Sequence, residues 1–215
     1  MPAPYRACLI DALGTMVRLR PPWELLDGAI VAGLPPGRVR TAFEAEMRFY
    51  AANSQRGRDA ASLAALREEA AAILSSGLGR PVGVAAMMDA IRFEPFADAA
   101  PALAVLRDRG MRIVCVSNWD FELGAVLERI GLAPALDGVV TSAAVGARKP
   151  DPAIFAAALA VAGCEAAAAI HVGDSDEDVA GARAAGIDVL RIDRDGGADV
   201  SSLAEMVERP ELSGE

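Results

Sequence analysis

Several polar residues of the sequence lie directly or shortly after short apolar runs, where they could form a binding site for an anion and a metal ion. They lie in four separate segments: Asp11 in the first, Ser117 and Asn118 in the second, Lys149 in the third, and Asp174 and Asp178 in the fourth. A lysine and a helix N-terminus with a serine hydroxyl favour phosphate oxygens, and clustered carboxylates are ligands of Mg²⁺. Each segment alone also fits an ordinary turn or helix cap, so the prediction depends on whether the four meet.

The elements that must bring these residues together are strands of a parallel sheet. Apolar runs of strand length alternate with helical patterns, and glycines follow four of the helices at positions typical of left-handed caps. The predicted strands are Ala7–Ile10, Arg112–Val116, Gly138–Thr141, Ala169–Val172 and Val189–Ile192. This alternation predicts an α/β fold with the polar residues at the carboxyl ends of the strands, where open parallel sheets bind ligands.

A long segment between the first and second predicted strands interrupts the alternation. From about Met16 to Arg92 the sequence shows no convincing strand and is rich in alanine, arginine and glutamate, which favours helices. Four helices are predicted, over Trp23–Ala32, Arg38–Asn53, Asp59–Ser75 and Val84–Ile91. An insertion after the first strand lies over the carboxyl ends of the strands, so we expect a small helical bundle that acts as a lid.

The composition limits the classes of partner. The 215 residues carry a net charge of -9, which repels a nucleic-acid backbone, and no apolar stretch approaches the roughly 20 residues of a membrane helix. The first residues lack a signal-peptide pattern, and the three cysteines, Cys8, Cys115 and Cys164, form neither a CxxC pair nor an even set. We therefore expect a soluble cytoplasmic protein with reduced core cysteines, which binds neither nucleic acid nor membranes.

Together, the four segments resemble the four signature motifs of the haloacid dehalogenase-like hydrolases, in the same order along the chain. The Lys-Pro-Asp-Pro-Ala-Ile-Phe segment at 149–155 and the Gly-Asp-Ser-Asp-Glu-Asp segment at 173–178 are the most specific matches. The resemblance spans nearly the whole chain. It implies a three-layer, Rossmann-like α/β core of residues 1–15 and 93–215, and an α-helical cap of residues 16–92 inserted after the first strand, as in the family's first cap class.

The resemblance also implies a role for each polar residue. Asp11 would be the nucleophile that forms an aspartyl-phosphate. The residues that hold the phosphoryl group would be Ser117, Asn118 and Lys149, and the Mg²⁺ ligands would be Asp11, the backbone carbonyl of Leu13, Asp174, and Asp178 directly or through water. The implied activity is hydrolysis of a small phosphorylated metabolite, either a phosphoric monoester or an acyl phosphate, with the cation and the lysine neutralising negative charge.

Leu13 departs from the phosphatases of the family, in which a second aspartate two residues after the nucleophile protonates the leaving group. Leucine cannot exchange a proton, and loss of a general acid or base typically lowers a rate by about a hundredfold to ten-thousandfold. The preferred hypothesis is a phosphatase whose leaving group is already a weak base, so that protonation matters less. A cap residue or water could also supply the proton.

Members of the family with a non-acidic residue at this position suggest alternatives. Dehalogenases carry Asp-x-Tyr-Gly-Thr, close to Asp-Ala-Leu-Gly-Thr at 11–15, but they need no metal and lack the Gly-Asp-Ser-x-x-Asp pattern found here at 173–178. Phosphonate hydrolases use a cap lysine, and residues 16–95 contain none. The non-enzymatic alternative is a catalytically dormant member that binds a phosphorylated ligand or a protein.

Other polar residues near these motifs have simpler interpretations. The single histidine, His171, lies on a predicted strand, which is typical of a core residue rather than of a catalyst. Arg18 and Arg20 follow the nucleophile segment and could bind a second anionic group, although solvated surface is the more common outcome. Asp176 and Glu177 fit the acidic first turn of a helix, so we leave them out of the predicted site.

Overall fold

The computed structural model describes residues 5–213 as an alternation of short strands and helices. The strands are β1 (Ala7–Ile10), β2 (Val17–Leu19), β3 (Phe93–Pro95), β4 (Arg112–Ser117), β5 (Gly138–Thr141), β6 (Ala169–Gly173) and β7 (Asp188–Arg191). The helices are α1 (Gly28–Val31), α2 (Pro36–Asn53), α3 (Ala60–Leu78), α4 (Val84–Ala90), α5 (Ala99–Asp108), α6 (Leu123–Arg129), α7 (Ser142–Val145), α8 (Pro152–Ala162), α9 (Asp176–Ala184), α10 (Leu203–Val207) and α11 (Pro210–Ser213).

Five strands form the main sheet, in the order β5, β4, β1, β6, β7, and all neighbouring strands are parallel. Cys8 of the central strand lies opposite Ile113 of β4 and Ile170 of β6. The sheet confirms the predicted α/β fold. The strand bounds agree with the predicted bounds to within one residue, because strands covered on both faces are nearly continuous apolar runs.

Helices cover both faces of the main sheet and give three layers. Successive residues of β1 point to opposite faces, as they must in a strand. Cys8 and Ile10 belong to a core that includes buried residues of α5, α6 and α10, whereas Ala7 and Leu9 belong to a core that includes residues of α8 and α9. Both faces are closed to water, and full burial of a leucine or isoleucine contributes about 1.5–3 kcal/mol.

The segment between β2 and β3 is helical and has a hydrophobic cluster of its own. The long helices α2 and α3 supply most of its buried residues, among them Phe43 and Leu74. The predicted helix over 23–32 is wrong in its extent: a short 3₁₀ turn covers Pro22–Glu24, and α1 begins only at Gly28. The break has a local cause, because the side chain of Asp27 accepts a hydrogen bond from Ala29 N and caps a new helix.

The two remaining strands form a small antiparallel ribbon at the ends of this segment. Val17 lies opposite Pro95, and Leu19 lies opposite Phe93. The expectation that no strand occurs between Met16 and Arg92 is therefore wrong for β2. Three-residue strands are too short to show a period of two, and their partners lie more than 70 residues apart in the sequence.

Two expectations from composition concern thiols and membranes. The three cysteines, all inside the described range, are free; Cys8 and Cys115 are buried, and Cys164 is only partly so. Within residues 5–213, no helix combines the length and apolar character that crossing a bilayer requires.

Candidate active site

The parallel sheet brings the four predicted segments to one edge. Asp11 follows β1 directly, and its backbone N–H donates to Val172 O of β6 at 2.9 Å, so the residue continues the strand ladder. Ser117 ends β4, and Asp174 follows β6. Since all of these strands run in the same direction, their carboxyl ends meet, and side chains far apart in sequence become neighbours.

Lys149 is the centre of the cluster and the only lysine in the sequence. Its Nζ atom donates to Asp11 Oδ1 at 2.5 Å, to Asp178 Oδ1 at 2.6 Å and to the carbonyl oxygen of Val116 at 3.2 Å. These three contacts use all three protons of the ammonium group. Ser117 Oγ donates to the same Asp11 oxygen at 3.0 Å. The nucleophile predicted from the sequence is thus held by a buried cation and a hydroxyl.

Asp178 is the most extensively bonded carboxylate of the cluster. Its Oδ1 contacts Lys149 Nζ and lies 2.7 Å from His171 Nε2, while its Oδ2 accepts from Ser175 Oγ at 2.5 Å and Ser175 N at 3.2 Å. Burial would raise the pKa of Asp178, but the bond to His171 and the charge of Lys149 keep it below the usual range. Asp178 therefore orients the lysine beside the carboxylates that could hold a metal ion.

His171 is buried, as its interpretation as a core residue requires, and its ring packs edge-on against Phe155 with 5.0 Å between ring centres. It is nevertheless part of the polar cluster through Asp178. Sequence reasoning missed this contact. The available signal was the strand period. Residues 171 and 173 lie on the same face of β6, which leads directly to Asp174, so a polar residue at position 171 lies beneath the site.

Three carboxylates could hold a metal ion. Oxygen atoms of Asp11, Asp174 and Asp178 lie within 4.8 Å of one another. Unlike Asp178, Asp174 accepts no hydrogen bond from the side chain or backbone of any other described residue, so its oxygens are free to bind a cation. A hard oxygen donor set of this kind fits Mg²⁺. Gly14 is required beside it, because a Cβ atom there would lie 2.1 Å from Asp174 Oδ2.

The electrostatics of the cluster favour a bound cation. Burial raises the pKa of Asp11 to about 6, and Asp178 and Asp174 act in the same direction, whereas Lys149 opposes them. Burial would lower the pKa of Lys149, but Asp11 and Asp178 raise it above its usual value, so the lysine remains charged. Burial and the charge of Asp178 also raise the pKa of Asp174. A divalent cation would relieve this repulsion and hold Asp11 in its ionised form.

Asn118, predicted to bind phosphate, has a side chain that is engaged by the protein itself. Its Oδ1 accepts from Lys149 N at 2.8 Å, and its Nδ2 donates to Lys149 O at 3.1 Å and to Glu177 Oε2 at 2.8 Å. The side chain therefore fixes the backbone of Lys149. Glu177, which the sequence interpretation left out, supports this arrangement and pairs with Arg148 at 3.4 Å.

The residues after the nucleophile differ from the core of the site in exposure. The side chain of Leu13 is 42% exposed, so the position that carries an acid in related phosphatases is here an apolar, accessible surface. Arg18 and Arg20 both pair with Glu94 on the β2–β3 ribbon, at 3.1 and 3.6 Å. Because both arginines are about half exposed, the interpretation as solvated surface fits them better than a role in binding anions.

Comparison with known proteins assigns this fold and site to a family. The sequence profile of the haloacid dehalogenase-like hydrolases matches residues 5–186. This range includes four of the five strands of the main sheet, β1, β4, β5 and β6, and all of the clustered side chains. The chain belongs to the haloacid dehalogenase-like hydrolase family.

Individual relatives share parts or all of the chain. The haloacid dehalogenase-like hydrolase domain-containing protein 3 of Bos taurus is 46% identical over 90 residues, 41% of this chain and 36% of that protein. A phosphoglycolate phosphatase of Rhodospirillum rubrum is 43% identical over 93 residues, 43% of this chain and 39% of that protein. The chain thus spans well under half the length of these curated relatives.

Solved structures extend the similarity to the whole chain. A phosphatase of the same family from Thermococcus onnurineus is 23% identical, with a TM-score of 0.68 over 98% of this chain and 99% of that one. L-2-haloacid dehalogenases are also among the structures with this fold. The similarity at this level of identity supports the fold, including the helical segment, rather than a substrate.

Proposed function

We propose that this chain is a Mg²⁺-dependent phosphatase that hydrolyses a small phosphorylated metabolite through an aspartyl-phosphate at Asp11. The observation that carries the proposal is the position of Lys149, whose buried ammonium group bridges Asp11 and Asp178 beside the free carboxylate of Asp174. A nucleophilic carboxylate, a phosphate-neutralising cation and a set of metal ligands thus occur in one place. The phosphatase names of relatives agree with this function.

In the first step of the proposed reaction, an oxygen of Asp11 forms a bond to phosphorus as the bond between phosphorus and the ester oxygen breaks. Lys149 and Ser117, which already contact Asp11 Oδ1, would hold the transferred phosphoryl oxygens. Mg²⁺, held by Asp11, Asp174 and the Leu13 carbonyl, and by Asp178 directly or through water, would neutralise the charge of the phosphate. Water then hydrolyses the aspartyl-phosphate, which releases phosphate and restores Asp11.

The leaving group is the part of the substrate that Leu13 constrains. With no proton available at this position, the departing oxygen must leave as an anion or take a proton from water or from another residue. A leaving group that is a weak base, such as a carboxylate or a phenolate, has the smallest need for that proton. We therefore propose acyl or aryl phosphates as the best substrates, with the exposed apolar surface of Leu13 beside the leaving group.

We also propose that residues 16–92 form a cap on a core of residues 1–15 and 93–215. The two parts meet at the loop after β4. Tyr50 donates a hydrogen bond to the buried Asp120, Phe121 N donates to Gly57 O at 2.9 Å, and Ser54 Oγ donates to Asn118 O at 3.3 Å. These contacts support the proposal, because they join the segment after α2 to the loop after β4 that is proposed to bind phosphate, where a cap could shield the site from water.

The decisive test is hydrolysis of p-nitrophenyl phosphate by the wild-type chain and by Asp11→Asn, each with Mg²⁺ and with EDTA. We expect Mg²⁺-dependent turnover that falls by about a thousandfold or more in the variant, because the amide is not a nucleophile. Turnover that is unaffected by Asp11→Asn would refute the assignment of the nucleophile. If neither protein turns over this ester and the wild type also fails to bind beryllium fluoride with Mg²⁺, the chain is a dormant binding protein.

A second experiment tests the role of Leu13. Leu13→Asp should raise the turnover of an alkyl phosphate more than that of acetyl phosphate, because only the alkoxide needs the added acid; the selective gain should approach about a hundredfold. Equal effects on both substrates would show that another group already supplies the proton.

The second candidate function is removal of halide from a 2-haloacid, which Leu13 favours because a halide leaves without a proton. The free carboxylate of Asp174 argues against this function, since removal of a halide does not require the metal ion that Asp174 could bind. Release of chloride from 2-chloropropionate in EDTA, sensitive to Asp11→Asn, would establish this function instead.

A further inference from the structure

Arg194, three residues after β7, links its own segment to the turn after β1 and to the segment after β3. The proposed mechanism gives this residue no role. Its guanidinium group pairs with Asp98 at 2.7 Å through Nη1, donates to the backbone carbonyl of Thr15 through Nη2, and lies over the ring of Phe96 at 4.0 Å from the ring centre. The side chains of Arg194 and Asp98 are each only 19% exposed. A forked, planar cation makes all of these contacts at once, which a lysine could not do.

The turn that receives Arg194 is the one that follows the nucleophile. Gly14 N donates to Val17 O at 2.8 Å, and both Met16 N and Val17 N donate to Ala12 O, at 2.9 and 2.8 Å. Gly14 has a φ of +87°, a conformation that favours glycine. Since Gly14 also packs directly against the carboxylate of Asp174, the conformation of this turn determines how Asp11 and Asp174 face each other.

The other side of the contact is the segment that returns from β3. Phe96 N donates to Met16 O at 2.9 Å, and Asp98 Oδ2 accepts from Leu203 N at 2.8 Å in addition to Arg194. Burial would raise the pKa of Asp98, but the bonds from Arg194 and Leu203 keep it below the usual value. Asp98 is therefore a fixed negative charge that holds the guanidinium group in place.

We infer that Arg194 is a positioning residue for the nucleophile, an inference that rests on the proposed function. It holds the carbonyl of Thr15 and so fixes the turn over residues 12–17, including the carbonyl of Leu13 and the contact of Gly14 with Asp174. Because the same side chain is anchored by Phe96 and Asp98, it also couples this turn to the segment that leads back from the helices. Arg194 itself touches neither Asp11 nor Lys149, so it acts only through the backbone.

Hydrogen–deuterium exchange tests the structural part of the inference without any substrate. In Arg194→Met, the hydrogen-bonded amides of Gly14, Met16 and Val17 should exchange about tenfold faster or more, because the turn loses the only hydrogen bond that it receives from a side chain of the described residues. Arg194→Lys should give an intermediate rate. Arg112→Met is the matched control: it also removes an arginine–aspartate pair, with Asp137 at 3.4 Å, but at the opposite end of the sheet. Unchanged exchange in both Arg194 variants would overturn the inference.

Kinetics test the positioning role. We expect kcat for p-nitrophenyl phosphate to fall about tenfold to a hundredfold in Arg194→Met while KM changes less than about threefold, because a displaced nucleophile affects the reaction more than binding. Full kcat per folded molecule, together with a lower Tm, would show a purely structural role and overturn the inference. If Arg194→Met does not fold, Arg194→Lys and Asp98→Asn carry the same measurements. If the wild type has no phosphatase activity, the proposed function fails, while the exchange data still decide whether Arg194 fixes the turn.

Discussion

Two carboxylates of the chain are almost equally buried but have opposite surroundings. Asp178, at the carboxyl edge of the main sheet, is 1% exposed and contacts Lys149, His171 and Ser175. Glu46, on the buried face of α2, is 4% exposed and accepts no hydrogen bond from the residues at positions 5–213. The pKa of Asp178 lies below the usual range, whereas burial raises the pKa of Glu46 to about 7.

The difference shows what keeps a buried carboxylate ionised. Burial disfavours the charged form at both positions, and only the donors around Asp178 reverse its effect. A site for anionic chemistry therefore needs its cation and hydrogen bonds in place before a substrate arrives. Glu46 lacks such partners. Its carboxyl group is partly neutral near pH 7, and its ionisation lowers the stability of the helical segment as the pH rises.

The largest effect on stability should follow from replacement of Lys149, the buried cation of the site. Lys149→Met leaves Asp11 and Asp178 buried without a counter-charge, which typically destabilises a protein by about 3–5 kcal/mol. Urea denaturation in EDTA measures the loss without interference from divalent cations. The double variant Lys149→Met/Asp11→Asn should recover at least about 1 kcal/mol, because one of the two unpaired charges is gone. A loss below about 1 kcal/mol in Lys149→Met would mean that the lysine does not account for the difference between Asp178 and Glu46.

A smaller effect, of opposite sign, is expected at the other carboxylate. The folded-state pKa of Glu46, about 7, lies above the ordinary value of 4.5 for a glutamate, so its protonation stabilises the fold below pH 4.5, and this contribution is lost as the pH rises through about 7. Glu46→Gln mimics the neutral form. It should raise the free energy of unfolding by about 2 kcal/mol at pH 8 and by almost nothing at pH 4.

The control for this variant is Glu44→Gln, two residues earlier on α2 and less buried, which should stay within about 0.5 kcal/mol of the wild type at both pH values. Urea midpoints across the pH range supply the measurement. A gain for Glu46→Gln that does not depend on pH would show that packing, and not charge, limits the helical segment.

The smallest effect isolates one hydrogen bond to Asp178. Ser175 and Ser202 both cap helices, accepting from Asp178 N at 3.1 Å and from Glu205 N at 3.0 Å. Only Ser175 also donates to a buried carboxylate. Ser202→Ala should lower stability by about 1 kcal/mol, and Ser175→Ala by about 1 kcal/mol more, since bonds to charged groups are stronger. Equal losses would show that the hydroxyl of Ser175 adds nothing beyond the cap.

The sequence allowed the main sheet to be predicted closely because its buried strands are nearly continuous apolar runs that end in glycine or polar residues. It also placed Asp11, Ser117, Lys149 and Asp174 at one edge, since parallel strands end together. The short strand β2 was not predicted, because its only partner is β3, and pairing between distant three-residue segments leaves no local pattern. Likewise, α1 begins only at Gly28 because Asp27 caps it, and residue types alone did not distinguish this start from one at Trp23.

The contacts between side chains could not be derived from residue types. Asn118 was predicted as a ligand of phosphate, but its amide spans the backbone of Lys149, 31 residues later. Asp178, predicted as a metal ligand, lies close to Asp11 and Asp174, but its spacing from Asp174 gave no sign of the four hydrogen bonds that it accepts or shares with Lys149, His171 and Ser175. Spacing along one helix predicts which residues are near a site, but not which neighbour each atom selects.

The chain has 20 arginines and a single lysine, which is 3% exposed at its side chain. A reagent that acylates side-chain amines can therefore label only Lys149, and only when its ammonium group separates from Asp11 and Asp178. The fraction of Lys149 that is acylated, measured on the peptide that contains it, therefore reports how many molecules have exposed their catalytic centre. Ligands that keep the centre closed would slow the acylation of Lys149, whether or not they are turned over.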